Sequence, residues 1–421
     1  MTSTPSRIFA SPRAPGAVLR LLAFGACAWL TACGGGGGGS DSAAVAAPGA
    51  TAVVAAAANT APMTVDQGPG TRAALNAPYV SVTICKPGTT TCQTIDHVLV
   101  DTGSSGLRVL TPLDPALGLP AVNGQSGPAG ECTSFVSGYT WGSVKRADVK
   151  IGGETAAGIS IHVVNDSAAA FASVPRDCSG TGNNLGTVAA LGANGILGIG
   201  VLQRDCGANC VTVAQAATYY SCGGGACSAS TMPLEQQVSN PVIGFPINNN
   251  GVVLVLPSVP TGGANSLSGT LIFGIGTQSN NRIGSATVYR TDAVGNINTT
   301  YRGTPWTASF FDSGSNALYF SDTSLRMCPT STGFYCPTAP LTLSATNSAF
   351  DGSVSGLVNF TIESVDGLNG SVTAASVGGT NFGDSHSSLN NAFDWGLPFF
   401  FGRSVFVAFE GAGAPTPYLA Y

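Results

Sequence analysis

Histidine and lysine are the scarcest residues of this 421-residue chain, with three of each. None of the histidines (His97, His162, His386) lies in a recognisable catalytic motif. A Ser-His-Asp triad or a histidine-based metal centre therefore has little to be built from. Charged residues make up only 9% of the sequence, there is no basic cluster, and the formal net charge is −5. That balance argues against nucleic-acid binding and against adhesion to anionic lipid. No apolar run reaches the roughly 20 residues that a membrane-spanning helix needs.

What the chain has instead is glycine, 57 residues of it, and cysteine, 12 residues. The glycines predict many turns and few surface helices. At the N-terminus, Arg7, Arg13 and Arg20 precede the short apolar stretch Leu21 to Leu30, as in an export signal. Leu30-Thr31-Ala32-Cys33 matches a bacterial lipobox, in which the signal is cut before a cysteine that becomes lipidated. The run Gly34 to Gly39 supplies a tether behind the anchor. Residues 1–32 are thus expected to be a signal peptide. Residues 33–75 are expected to be the lipidated Cys33 followed by a flexible Gly/Ala-rich linker, too poor in apolar bulk to fold. The corresponding location is the bacterial cell envelope, with the lipid as the sole membrane attachment. Gly34, rather than Asp, after the cysteine points to the outer membrane.

Cys27 lies in the signal and Cys33 takes the lipid, which leaves ten cysteines. Export implies an oxidising compartment, and three histidines are few for zinc, so disulfides are expected and no metal or cofactor. Four candidate pairs lie close in sequence, Cys85–Cys92, Cys206–Cys210, Cys222–Cys227 and Cys328–Cys336, and Cys132–Cys178 takes the remaining two. Connectivity within the Cys206 to Cys227 cluster stays open at this level.

The centre of the sequence is a duplicated stretch. His97-Val98-Leu99-Val100-Asp101-Thr102-Gly103-Ser104-Ser105-Gly106-Leu107 carries an apolar run into one aspartate and a second apolar run away from it. Ser309-Phe310-Phe311-Asp312-Ser313-Gly314-Ser315-Asn316-Ala317-Leu318 repeats the pattern 211 residues later. One Asp-hydroxyl-Gly-Ser stretch is an ordinary Asx turn. Two copies, each set between apolar strands, point to a pair of carboxylates delivered to one place. Two such groups cannot both ionise freely; they hold one proton between them and can act together as general acid and general base.

On these residues the chain resembles the two-lobed pepsin-type aspartic peptidases, from about Tyr79 to the C-terminus. It is also similar to an uncharacterised bacterial family of peptidase-like lipoproteins that share the ending Asp394-Trp395-Gly396-Leu397-Pro398-Phe399-Phe400-Phe401-Gly402-Arg403. The resemblance implies a mostly-β, bilobal, pepsin-like acid-protease fold with a cleft between two related β lobes. Residues 76–285 would form the N-terminal lobe with the inter-lobe strands, and 286–421 the C-terminal lobe. It implies Asp101 and Asp312 as catalytic residues. Thr102 and Ser313 would tie the loops together, Ser104 and Ser315 would bond the outer carboxylate oxygens, and Gly103 and Gly314 would let the loops approach.

Phe135-Val136-Ser137-Gly138-Tyr139-Thr140-Trp141 lies in a predicted hairpin, where the resemblance places a substrate-covering flap. Phe135 stands where that flap carries tyrosine, and Gly138, Tyr139 and Trp141 are candidate flap residues. Arg108 stands where a tryptophan is usual and joins the candidate cleft. Asn194-Gly195-Ile196-Leu197-Gly198 resembles the segment that packs behind the first aspartate loop, and Phe400-Phe401-Gly402 is its expected counterpart in the second lobe. Pro241-Val242-Ile243-Gly244-Phe245 and Gly269 to Gly276 resemble linking strands. The implied function is an aspartic endopeptidase-like lipoprotein that hydrolyses peptide bonds with a water activated by two aspartates. The alternative is a catalytically inactive pepsin-fold binding protein at the envelope. Either takes a peptide or protein in the cleft, as a monomer.

Overall fold

The computed structural model describes residues 54–71, 73–368, 371–380, 391–411 and 416–421. The signal peptide, Cys33, most of the linker and His386 lie outside the described residues.

Strands dominate, as expected. One sheet has fifteen strands and a second has seven. The large sheet begins with Ala226–Ala229 and Tyr219–Gly223, passes through the hairpin Ala129–Phe135/Gly138–Ile151 and Glu154–Val164, and reaches the strands around Asp101. It then continues through Pro78–Cys85, Thr60–Val65, Leu267–Phe273 and Gly251–Leu256 to Arg403–Ala408, Tyr418–Ala420 and Val288–Arg290. Strands from both sides of position 285 therefore share this sheet. The seven-stranded sheet holds Asp312 and runs Ser355–Ile362, Leu341–Ser348, Ile297–Tyr301, Thr304–Asp312, Asp394–Gly396, Leu318–Tyr319, Gly378–Gly379. A single apolar cluster draws on both, from Val98, Val100, Leu107 and Leu197 to Phe311, Phe393, Trp395 and Phe399.

The two aspartate loops are made in the same way. Cys92–Asp101 leads into the first loop, Ser105–Leu110 leaves it, and Gly195–Ile199 lies between them. That middle strand pairs parallel with the entering strand and antiparallel with the leaving one. In the second copy Asp394–Gly396 lies in the same way between Thr304–Asp312 and Leu318–Tyr319.

Three expectations need correction. The linker does not run to residue 75, because Thr60–Val65 is a strand paired with Leu267–Phe273. Its alternate side chains Ala61, Met63 and Val65 are buried, a period-two pattern that an antiparallel neighbour completes. Pro241–Gly244 is a turn of 3-10 helix and not a strand. Asn240 caps it by accepting from the Val242 N–H at 3.0 Å, and Pro241 at the first position favours the helical start. The third concerns the segment behind the second aspartate. The residue in register with Asp101 is Gly198, and the residue in register with Asp312 is Gly396. The counterpart of Ile196-Leu197-Gly198 is thus Asp394-Trp395-Gly396. Phe400-Phe401-Gly402 follows later, at the end of a short helix that leads into Arg403–Ala408.

Candidate active site

Glycine decides how closely the two loops can meet. A Cβ on Gly103 would lie 2.5 Å from the Asp312 carboxyl carbon, and one on Gly314 would lie 2.8 Å from Asp101 Oδ1. Each loop's glycine faces the other loop's carboxylate, a contact no side chain would allow. Behind each loop a second glycine lets the middle strand pass: a Cβ on Gly198 would sit 2.8 Å from Ser104 Oγ, and one on Gly396 would sit 2.1 Å from the Ala317 carbonyl.

Thr102 and Ser313 join the loops reciprocally. The Thr102 hydroxyl donates to the Phe311 carbonyl at 3.0 Å and accepts from the Ser313 N–H at 2.9 Å. The Ser313 hydroxyl donates to the Val100 carbonyl at 2.7 Å and accepts from the Thr102 N–H at 3.1 Å. Within each loop the glycine N–H donates to its own aspartate at 2.8 Å, Gly103 to Asp101 and Gly314 to Asp312. Ser104 Oγ donates to Asp101 Oδ2 at 2.5 Å. Ser315 Oγ lies 2.9 Å from Asp312 Oδ2 and 2.7 Å from Asp394 Oδ2. Asp101 is buried while Asp312 is half-buried. Burial, with the Asp312 charge beside it, pushes the Asp101 carboxyl up to about 8. This loop pair can hold one proton at neutral pH.

The hairpin forms where expected, with Phe135 opposite Gly138 and Val136-Ser137 at its turn. Two of its aromatics, Tyr139 and Trp141, do not cover the loops. Tyr139 and Trp141 are buried with Phe171, Tyr220 and the Cys132–Cys178 bridge, and the Trp141 indole donates to the Phe171 carbonyl at 2.9 Å. Their side chains alternate onto the sheet face opposite Glu131 and Thr133, which removes both from the candidate cleft. The hairpin is also held at its edge: the Tyr139 N–H donates to the Asn183 carbonyl, and the Leu185 N–H to the Tyr139 carbonyl, both at 2.8 Å. Gly138 packs so closely there that a Cβ would lie 2.1 Å from the Asn183 carbonyl oxygen.

Arg108 is likewise no cleft residue; it is 1% exposed. Its guanidinium donates to the Ser105 and Gly106 carbonyls at 2.9 and 3.2 Å, to Thr133 Oγ1 at 2.9 Å and to Glu131 Oε1 at 2.9 Å. It thereby ties the first aspartate loop to the hairpin strand, with the Phe135 ring 5.9 Å from its Cζ. Asp205 Oδ2 lies 3.6 Å away, and His162 Nδ1 lies 3.3 Å from Glu131 Oε2. Burial opposes ionisation of Glu131, yet neighbouring positive charge holds it down at about 2. Arg108 supplies that charge at neutral pH, because burial pushes His162 down to about 4. Burial and the adjacent Glu131 push Asp205 well above the carboxylate range, so it keeps its proton and accepts from the Tyr219 hydroxyl at 2.6 Å. Glu131, His162, Asp205 and Asp394 were not among the sequence candidates. Only Asp394 carried a signal, standing two residues before a glycine as Ile196 does.

All five expected cysteine pairs are disulfides, with Cys206 joined to Cys210 and Cys222 to Cys227. Cys328, Cys336 and Asp366 lie close together, but both sulfurs are spent in a disulfide and cannot act as thiolate ligands. No helix among the described residues is long and apolar enough to cross a membrane.

A family model described as "Protein of unknown function (DUF3443)" matches residues 55–421. No curated protein matches the chain. Among solved structures, the aspartic proteinase from Irpex lacteus aligns at 18% identity with a TM-score of 0.47, covering 86% of this chain and 96% of that one.

Proposed function

The chain belongs to the family of proteins of unknown function DUF3443, and we propose from the site itself that it is an aspartic-type endopeptidase. One observation carries this reading: two aspartates face each other across loops tied by reciprocal Thr102 and Ser313 bonds, each glycine against the opposite carboxylate. A water held between the carboxylates would lose a proton to the ionised aspartate as its oxygen attacks the peptide carbonyl. The neutral Asp101 would donate to the carbonyl oxygen as charge develops there. The tetrahedral intermediate then collapses as the amine leaves with a proton, and no covalent enzyme intermediate forms.

The second reading, a pepsin-like binding protein that does not cut, draws on the hairpin. Tyr139 and Trp141 are packed away and Arg108 fixes the hairpin to the first loop. Purified protein incubated with an unfolded polypeptide from pH 3 to 9 separates the two. A peptidase cleaves it, and Asp101→Asn and Asp312→Asn each lower the rate by at least about a thousandfold with the fold retained. A wild type as inert as both variants sinks the peptidase reading and leaves the binding protein.

The partner in either case is a peptide or protein, taken without cofactor by a monomer, and nucleic acid is not a ligand. Attachment to the bacterial outer membrane through Cys33 is part of the proposal, motivated by Leu30-Thr31-Ala32-Cys33. Cys33→Ser should move the protein out of the membrane fraction; unchanged sedimentation with membranes refutes the anchor.

A further inference from the structure

Each aspartate loop ends on two carbonyls that are held in the same way. The carbonyl three residues after the aspartate accepts from a backbone N–H: Ser104 from Gly200 at 2.8 Å, and Ser315 from Leu397 at 2.7 Å. The carbonyl four residues after the aspartate accepts from a buried side chain. Arg108 Nη1 donates to the Ser105 carbonyl at 2.9 Å, and Asn76 Nδ2 donates to the Asn316 carbonyl at 2.9 Å. Arg108 comes from the strand that leaves its own loop. Asn76 comes from the other half of the chain, just ahead of Pro78–Cys85 in the large sheet. It is 0% exposed. Its amide donates a second time, to the Ala374 carbonyl at 2.8 Å, and its Oδ1 accepts from the Ala374 N–H at 2.8 Å. That last bond fixes which end of the amide is oxygen, so both of its N–H groups face carbonyls. The Asn76 backbone N–H donates to the Val372 carbonyl at 2.8 Å. Its φ of 51° is left-handed, a conformation asparagine adopts more readily than most side chains.

We propose that Asn76 is a positioning residue of this site, holding the Asp312 loop from the opposite half of the chain as Arg108 holds the Asp101 loop. Ala374 lies in an apolar cluster with Ala317 and Val377, against which Leu75 packs. The Leu318 N–H, on the strand leaving the loop, donates to the Val377 carbonyl at 3.0 Å. Asn76 thus joins the end of the loop to the segment beside its exit strand. The loops cannot come closer, because Gly103 and Gly314 already set backbone against the opposite carboxylates. A loop released at Asn316 can therefore only move outward, which separates the two carboxyls and weakens the effect of the Asp312 charge on Asp101. The amide is required and not merely its shape: an aspartate at position 76 would turn carboxylate oxygens toward the Asn316 and Ala374 carbonyls, with no donor between them.

The catalytic consequence rests on the peptidase reading; the hold on the loop does not, so the test reads two quantities. Asn76→Gly keeps the left-handed backbone and removes only the side chain. Asn248→Gly is the control: Asn248 is also buried at a positive φ, 58°, but its side chain bonds Glu154 and Thr277. The first quantity is cleavage of an unfolded polypeptide at a temperature where every variant is folded. Asn76→Gly should lower kcat by about tenfold to a hundredfold with KM little changed, the scale of a misplacement of about 1 Å. Asn248→Gly should lower Tm and leave kcat unchanged. The second quantity is stability, from urea unfolding between pH 4 and 9. In the wild type it should stop falling near pH 8, where Asp101 completes its titration. That levelling point should move toward acid by about one pH unit in Asn76→Gly, because the Asp312 charge is then farther away, and should stay in place in Asn248→Gly. Asn76→Ser, whose hydroxyl can serve one of the three partners, covers a glycine variant that does not fold, and should give the same shift in smaller measure. A levelling point unmoved in the Asn76 variants overturns the proposal. So does an equal shift in Asn248→Gly, which would trace the effect to lost stability alone. A shifted levelling point with wild-type kcat overturns the positioning role. A wild type without cleavage ends the peptidase reading, and the levelling point still decides whether Asn76 holds the loop.

Discussion

The loop carrying Asp101 and the loop carrying Asp312 are built from the same three strands in the same order, yet their surroundings differ in kind. The shared part is backbone and small side chains: a hydroxyl after each aspartate, a glycine, a second hydroxyl, and a glycine on the strand between (Gly198, Gly396). Seven residues after the aspartate the two halves part, with Arg108 in one and Tyr319 in the other. They part again on the middle strand, at Ile196 and Asp394. The first half places its charge away from the carboxylate, in a buried network that grips the hairpin. The second places a carboxyl one hydroxyl away from the dyad. The packing differs as well: Val98, Val100, Leu107 and Leu197 lie around the first loop, whereas Phe311, Phe320, Phe393 and Trp395 stack around the second, with ring centroids as near as 4.2 Å. The repeated residues are therefore sufficient to bring two carboxylates together. The unrepeated ones determine how the hairpin is held and which side chains surround each loop.

The largest break in this comparison should come from substituting the seventh residue in each half. Arg108→Leu leaves Glu131 charged and buried without its guanidinium, and losing one partner of a buried pair costs about 3–5 kcal/mol. Tyr319→Leu loses a 2.5 Å bond to Asn316 Oδ1 and a ring contact with Phe334, for about 1–2 kcal/mol. Urea unfolding at pH 7 measures both. Adding Glu131→Leu to Arg108→Leu should recover much of the loss, because the network then no longer holds a stranded charge. Equal costs at the two positions would mean that the Arg108 network contributes nothing specific to the first half.

The parts of this site legible in the sequence are the local ones. Asp101 and Asp312 stood out because each loop writes its hydroxyls and glycine within four residues, and the copies could be compared directly. The disulfides were legible for a similar reason: four of the five close loops of eight residues or fewer. The hairpin turn at Phe135 to Gly138 followed from local alternation, but which face its aromatics occupy depends on Phe171, Tyr220 and the Asn183 to Leu185 segment. Arg108, Glu131 and Asp205 are spread over about a hundred residues, and no local pattern announces that they meet. Asp394 was missed through register. Two glycines within six residues, Gly396 and Gly402, each followed bulky apolar side chains, and Phe400-Phe401-Gly402 was the more hydrophobic match to Ile196-Leu197-Gly198. Parallel pairing with Thr304–Asp312 selects Gly396 instead, and with it brings a carboxyl to the position that the first half gives to isoleucine.

A smaller effect tests the asymmetry of the dyad through stability alone. Asp101 titrates at about 8 in the folded protein against an ordinary value of 3.8. Between those limits the folded state holds a proton that the unfolded chain has released, so stability falls as pH rises through this window. The cost is absent below about pH 4 and complete above about pH 8. Asp101→Asn cannot ionise and escapes it, and the variant should gain about 2–4 kcal/mol over wild type at pH 8 and almost nothing at pH 4. The full shift would give more, but the pair titrates as one unit and shares it. Asp312→Asn acts on the same quantity from the other side. It removes the charge that is the second cause of the Asp101 shift and leaves burial, the first. In that variant the pH at which stability begins to level off should fall below 8 yet stay well above 4. Urea unfolding of the two variants and wild type at pH 4, 6 and 8 measures this. A pH-independent difference between Asp101→Asn and wild type would mean that Asp101 is ionised throughout, and the roles of the two halves would have to be exchanged.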